Sequence, residues 1–242
     1  MAEVVLNVFR GDQNGGSEKA YAVPLVTGMV VLDAIHYIQA HYDGDLACRW
    51  NCKAARCGSC SAEINGRPRL MCKTRLDEYG GEITVRPMKA FPVIKDLVTD
   101  VSYNYKVAQQ VPAFQPANGE AAFTMFQPDV ERAQEFRKCI ECFLCQNVCH
   151  VLRDHGGREA YFGPRFMIKI AALEMHPMDT HSRTALLRES GGIGYCNITK
   201  CCEEVCPEHI HITDNAIIPL KERVADEYWD PVRFVIRKLS GR

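Results

Sequence analysis

Cysteine is the residue type that carries chemistry in this chain. Cys52, Cys57, Cys60 and Cys72 are spaced C-x4-C-x2-C-x11-C. Thiolates are soft ligands for iron and zinc, and the first three positions match the spacing of a loop that wraps a 2Fe–2S cluster. Such a loop must bring sulfurs to two irons from several sides. Ala54, Ala55, Gly58 and Ser59 are small, so backbone amides can approach and donate hydrogen bonds to sulfur. A structural zinc site is the alternative. Zinc prefers paired C-x2-4-C knuckles, and four residues followed by two, with a distant fourth cysteine, is unusual for it.

A second group, Cys139, Cys142, Cys145 and Cys149, reads C-x2-C-x2-C-x3-C. In bacterial iron–sulfur proteins with this run, the fourth cysteine serves the other of two clusters. A partner run is present: Cys196, Thr199, Cys202 and Cys206-Pro207 repeat the spacing with threonine in the second position. Exchanging fourth ligands yields Cys139, Cys142, Cys145 and Cys206 for a 4Fe–4S cluster. It leaves Cys149, Cys196 and Cys202, a set of three that suits 3Fe–4S. Threonine is a poor iron ligand, so one corner lacks an anchor. Cys201 as a fourth ligand is the alternative, opposed by its adjacency to Cys202. Cys48 and Cys201 are otherwise spare and read as small apolar side chains.

The composition agrees with metal ligation rather than disulfides. The chain has 242 residues and 13 cysteines, an odd count concentrated in tight groups, which suits metal better than cross-links. The amino terminus reads Met-Ala-Glu-Val-Val, without the basic and apolar regions of a signal peptide. No run of about 18 apolar residues is present to span a membrane, and a reducing compartment is expected. A net charge of −1 predicts no nucleic-acid partner.

Three spans must position these thiols. Residues 1–105 read as a small α+β domain. Val4–Phe9, Tyr21–Leu25 and Ile83–Val85 are strand-like. Ser61–Ile64 and Pro68–Cys72 flank an Asn65-Gly66 turn as a hairpin. Val30–His41 is an amphipathic helix with Val30, Val31, Ala34, Ile35 and Ile38 on one face. A short helix is expected near Ile94–Lys106. Residues 106–128 form a proline-punctuated connector, and residues 129–242 are mainly helical. There Asp129 is expected to cap a helix over Val130–Lys138, Pro164 to start one over Arg165–Glu174, and a last helix to follow Pro231.

In this order, the motifs resemble the iron–sulfur subunit of succinate dehydrogenase and fumarate reductase, nearest the actinobacterial type. The resemblance rests on Arg49-Trp50-Asn51-Cys52, Cys57-Gly58-Ser59-Cys60, Phe91-Pro92-Val93-Ile94-Lys95-Asp96-Leu97, Cys139-Ile140-Glu141-Cys142 and Cys206-Pro207. It implies an α+β chain, with a β-grasp plant-type ferredoxin domain followed by an all-α bacterial-type ferredoxin domain. It also implies an electron carrier of succinate:quinone oxidoreductase, without a substrate site of its own. The implied relay runs from FAD in a flavoprotein subunit through 2Fe–2S, 4Fe–4S and 3Fe–4S clusters to a quinone, menaquinone by expectation. The implied location is peripheral, at the cytoplasmic face of the plasma membrane, beside membrane-anchor subunits. Two departures mark the quinone end. The segment after Cys149 reads His150-Val151-Leu152-Arg153 without tryptophan, and Asn197 stands where the family often has histidine. His150 and Asn197 are candidate quinone-site neighbours, with a hydrogen-bonded or surface histidine the equal alternative for His150.

Seven cations, Arg49, Lys53, Arg56, Arg67, Arg69, Lys73 and Arg75, stand against Glu63 alone around the first cluster motif. They read as a potential-raising field, a solvated surface or a docking rim. Gly191-Gly192-Ile193-Gly194 reads as a loop, and His209-Ile210-His211 as a surface segment rather than a zinc site. Val232 to Leu239 reads as a terminal amphipathic helix. Tyr161, Phe162 and Phe166 read as core or cluster shielding. A ferredoxin-type adaptor of another dehydrogenase or disulfide reductase, and a multi-zinc scaffold, are the competing functions.

Overall fold

The computed structural model describes residues 2–116, 124–155, 157–232 and 235. Its chain divides into two compact units. The first comprises Met1–Tyr103, Ile140–Val148 and Val205–Pro207; the second comprises Asn104–Cys139, Cys149–Glu204 and Glu208–Arg242.

The first unit is built on a mixed sheet. Strand β1 (Glu3–Asp12) pairs antiparallel with β2 (Gly15–Pro24) and parallel with β5 (Glu82–Arg86). Strands β3 (Ser61–Ile64) and β4 (Arg67–Leu70) form the expected hairpin, and β3 joins β5. Alternation along β1 sends Val4, Leu6 and Val8 inward, as the two-residue strand period requires. Helix α1 (Val31–His41) completes this core with Val31, Leu32, Ala34, Ile35 and Ile38. Val30 caps the helix rather than joining its buried face, and Leu32 takes a buried place instead. At the helix start, the Val30 N–H donates to Asp33 Oδ2 at 3.2 Å. Strand β2 begins earlier than its apolar residues suggest, because hairpin pairing carries the exposed segment Gly15–Ala20.

The helix expected over Ile94–Lys106 is corrected. Val93–Lys95 (β6) and Val98–Thr99 (β7) pair as a hairpin, and helix α2 starts only at Ser102 and ends at Gln110. Ile94, Leu97, Val98 and Val101 mimic a helical period. Asp96 overrides it: its φ is 48°, a left-handed value that Asp tolerates better than most residues. Its buried carboxylate accepts from Gly11 N (3.0 Å), Ala47 N (2.8 Å) and Arg10 Nε (3.1 Å).

Residues 140–148 belong to the first unit by buried polar contacts. Ser61 Oγ lies 2.8 Å from Cys142 O. Asn147 Nδ2 donates to Glu63 Oε1 at 2.9 Å, and Ala90 N donates to Asn147 Oδ1 at 2.9 Å. Glu63 and Asn147 are both buried, where an unmet polar group costs about 1–3 kcal/mol. Helix α4 (Leu144–Val148) packs on β4.

The second unit is helical. Helices α3 (Gln127–Gln134), α5 (His150–Arg153), α6 (Pro164–Glu174), α7 (Thr184–Arg188), α8 (Cys201–Glu204) and α9 (Ile218–Tyr228) are joined by tight turns. Asp129 does not cap α3. Phe126 does, with Pro128 in the first turn, where proline's missing N–H is harmless; Asp129 also lies in that first turn, and Glu135–Lys138 tightens into a 3-10 turn. Ile212–Ile217 is wound as a π-helix running into α9, and it packs on α6. Buried Phe166, Met167, Ile170, Ile212, Ile217 and Leu220 build the core. Arg183 is fully buried: it donates to Pro112 O (3.0 Å), Ala113 O (2.8 Å) and His181 O (2.7 Å), and pairs with Asp179 Oδ2 at 2.9 Å. The helix expected after Pro231 lies largely outside the described residues.

Candidate metal centres

No cysteine among the described residues forms a disulfide. In the first unit, residues 52–60 form a loop between α1 and β3. Lys53 (φ 53°), Ala55 (55°) and Gly58 (67°) take left-handed conformations. These kinks turn amides toward sulfur: Ala54 N and Arg56 N donate to Cys52 Sγ at 3.4 and 3.3 Å. Gly58 is obligatory, because a Cβ there would stand 2.5 Å from Cys142 Cα. Hydrogen bonding also links the Cys57 thiol to Cys52 and to the side chain and amide of Ser59. Burial opposes these bonds, but they bring Cys57 down to about 6. Cys72, at the end of the hairpin, donates its N–H to Cys60 Sγ at 3.5 Å. Burial pushes the Cys60 thiol up to about 12. A loop that aims amides at thiolates fits iron–sulfur ligation, because such donors stabilise sulfur carrying negative charge. The surrounding Arg49, Lys53, Arg56, Arg67, Lys73 and Arg75 are exposed. Arg75 is paired with Asp77, and Lys53 lies 4.9 Å over the exposed Trp50 ring.

Of the second predicted ligand set, Cys142, Cys145 and Cys206 lie in the first unit and Cys139 in the second. Cys142 and Cys145 are buried; Cys139 and Cys206 are half-buried. Cys145 lies in α4, and Cys139 closes the 3-10 turn after α3.

The third set meets in one cavity of the second unit. Cys149, Cys196 and Cys202 line it together with His150, Tyr161, Thr199, Cys201 and Thr213. Gly192 (φ 59°) supports this wall, since a side chain there would strike Ala160 O. Burial raises the Cys149 thiol to about 11 and the Cys202 thiol to about 12. Backbone hydrogen bonds from Leu152 and Val151 oppose the effect of burial on Cys149, Thr213 Oγ1 lies 3.6 Å from Cys202 Sγ, and the buried Tyr161 shares the lining with Cys196. Four thiols line this cavity, Cys201 among them; the three at ligand spacing, Cys149, Cys196 and Cys202, fit a cluster with three cysteine ligands.

Cys201, expected as a buried apolar side chain, is instead half-exposed on the cavity wall, its Sγ 3.3 Å from Thr199 Oγ1. It begins the short α8, which turns its side chain toward the cavity. Cys48 packs against the first unit's core, and burial raises its thiol to about 12. His150 lies on the cavity wall, whereas Asn197 is exposed and does not line it. His211 Nδ1 engages Glu135 at 2.7 Å. Tyr161, read from the sequence as core or cluster shielding, lines the cavity, and Thr213 is the contributor that motif reading missed, since it is not a ligand type at ligand spacing. Among the described residues, no group of three or more His, Cys, Asp or Glu is placed to hold a single metal ion. A cluster does not need such a shell, because bridging sulfides let each thiolate bind its own iron.

A family model described as a 2Fe-2S iron-sulfur cluster binding domain matches residues 5–106, and one described as a 4Fe-4S dicluster domain matches residues 135–210. The fumarate reductase iron-sulfur subunit of Haemophilus influenzae is 30% identical over 207 residues, covering 78% of this chain and 80% of that protein. The subunit of the same description from Mycobacterium tuberculosis is 32% identical over 203 residues, covering 79% and 80%. The chain belongs to the succinate dehydrogenase/fumarate reductase iron–sulfur subunit family. A chain of the solved Mycobacterium smegmatis Sdh1 complex in the apo form is 58% identical, with a TM-score of 0.92 and coverage of 95% of this chain and 98% of that one. As an iron–sulfur subunit of this family, the chain has an electron-transfer role, carried by a 2Fe–2S domain and a 4Fe–4S dicluster domain. The multi-zinc scaffold is thereby set aside.

Proposed function

We propose that this chain is the electron relay of a succinate:quinone oxidoreductase. Its partners are a flavoprotein subunit holding FAD and one or more membrane-anchor subunits, and its acceptor is a quinone, of the menaquinone type. Among the described residues no helix is long and apolar enough to cross a membrane. That supports a peripheral position, which we place at the cytoplasmic face of the plasma membrane. When bound, the clusters supply one-electron carriage, 2Fe–2S and 4Fe–4S followed by 3Fe–4S.

Everything else is work of the chain itself. Cys52, Cys57, Cys60 and Cys72 hold the first cluster in a loop that bonds its sulfurs through backbone amides. Cys139, Cys142, Cys145 and Cys206 hold the second, an assignment resting on their spacing. Cys149, Cys196 and Cys202 hold the third. Thr199, at the missing ligand's position, leaves one corner unanchored. His150 neighbours the quinone end from the cavity wall; Asn197, if it contributes, does so from the outer surface.

The observation that carries this reading is the meeting of Cys149, Cys196 and Cys202 in one cavity with a threonine at the fourth ligand position; Cys201 lines the cavity too, but its adjacency to Cys202 opposes its joining the same cube. The test is low-temperature electron paramagnetic resonance of the purified complex, together with succinate-dependent dye reduction. An oxidised-state 3Fe–4S signal, with copurifying flavoprotein and succinate activity, is the expected result. A diamagnetic oxidised state at that site would replace the three-iron assignment by a complete cube. Cluster signals without succinate activity would favour an adaptor for another dehydrogenase.

A further inference from the structure

The cavity around Cys149, Cys196 and Cys202 contains more than ligands. Tyr161 is fully buried, with a relative exposure of 0%, and Thr213 is nearly so at 1%. Both line the cavity. Tyr161 shares the lining of that cavity with Cys196. Thr213 Oγ1 lies 3.6 Å from Cys202 Sγ, and the Thr213 backbone N–H is bound to Glu203 Oε2 at 2.9 Å, which fixes the residue against α8. Cys149 is served differently, by the backbone amides of Val151 and Leu152.

We infer that Tyr161 and Thr213 are positioning residues that set the reduction potential of the third cluster, by donating hydrogen bonds from their hydroxyls to the thiolates of Cys196 and Cys202. The inference rests on the proposed three-cysteine ligand set and goes beyond it. A phenol or an aliphatic hydroxyl is protonated at neutral pH and can donate. On iron, each thiolate carries negative charge, and reduction adds more. Hydrogen bonds to cluster sulfurs stabilise the reduced state and raise the potential, and they weigh heavily where water is excluded. Two of the three thiolates thus depend on side-chain donors, which substitution can delete without touching a ligand or the backbone.

The experiment is a redox titration of the purified complex, following the 3Fe–4S resonance in the parent protein and in Tyr161→Phe. The phenylalanine removes one oxygen and leaves the ring to fill its place. The expected result is a cluster retained at full iron and sulfide content, with its equilibrium constant for reduction lowered about tenfold, equivalent to about 59 mV for a one-electron couple. The 2Fe–2S potential, read in the same samples, should not move. Thr213→Val should shift the third cluster the same way by a smaller factor, and Thr213→Ser, which keeps the hydroxyl, should restore the parent value. If Tyr161→Phe loses its cluster, the threonine pair decides: a shift in Thr213→Val with rescue in Thr213→Ser supports the inference, and equal potentials in all three proteins overturn it. A normal parent 3Fe–4S signal with an unshifted Tyr161→Phe potential overturns the inference alone. Absence of that signal from the parent protein itself overturns the ligand set as well.

Discussion

The loop of Cys52, Cys57 and Cys60 and the cavity of Cys149, Cys196 and Cys202 stabilise thiolates by different means. The loop is largely exposed and works with backbone: Lys53, Ala55 and Gly58 at positive φ swing amides toward Cys52, and the amide of Cys72 serves Cys60. The cavity is more buried and is lined by side chains, among them the buried Tyr161 and Thr213. The contrast teaches where each potential is adjustable. Every residue but proline carries an amide, so the loop's donors survive most substitutions as long as its shape does. The cavity's hydroxyls are specific to two side chains, so its chemistry is open to single changes.

The strongest way to break this comparison is to remove one ligand from each region. Cys57→Ala should abolish the 2Fe–2S resonance and leave the third cluster's signal, and Cys202→Ala should do the reverse. Loss of both signals in either variant would show that the two sites are not independent. The next largest effect is on stability. Arg183→Met leaves the buried Asp179 carboxylate without its cation and Glu174 with Arg223 alone. Removing one partner of a buried pair costs about 3–5 kcal/mol, so bleaching of the third cluster in denaturant should come much earlier while the first-unit sheet melts as before. A variant as stable as the parent would mean that these carboxylates find water or protons at no cost.

Gly58→Ala is a smaller change aimed at the loop. A left-handed residue with a side chain costs about 1–2 kcal/mol, and the added Cβ would press on Cys142. The expected outcome is a broadened or partly lost 2Fe–2S signal in a protein that still folds; an unchanged spectrum would deny the loop its dependence on shape. The smallest effect should follow Ser59→Ala, which deletes the hydroxyl that supports Cys57. Its 2Fe–2S potential should fall by less than the shift in Tyr161→Phe, because the loop is wetter and amide donors remain. A larger fall would reverse the ranking of backbone and side-chain control.

Much of the fold was legible because its signals are local. Strand β1, the hairpin at Asn65-Gly66, helix α1 and the start of α6 at Pro164 follow from two-residue or helical periods and from turn and proline chemistry. The hairpin at Val93–Thr99 was not legible, because its apolar spacing imitates a helix. The deciding event is the burial of the Asp96 carboxylate against Gly11 N and Ala47 N, residues distant in sequence. The turn at Phe126–Pro128 likewise displaced Asp129 from the cap.

By itself, the amino-acid order determined which chemistry is possible, since ligand type and spacing are properties of the chain: three thiol groups, one of them lacking a cysteine at Thr199. Only the tertiary structure decided what surrounds each sulfur. Tyr161 comes from the segment before α6 and Thr213 from the π-wound segment, neither of them in a cysteine motif, and Cys201 lines the cavity. Hydrogen bonding and dielectric depend on distance in space, which packing sets and sequence spacing does not encode.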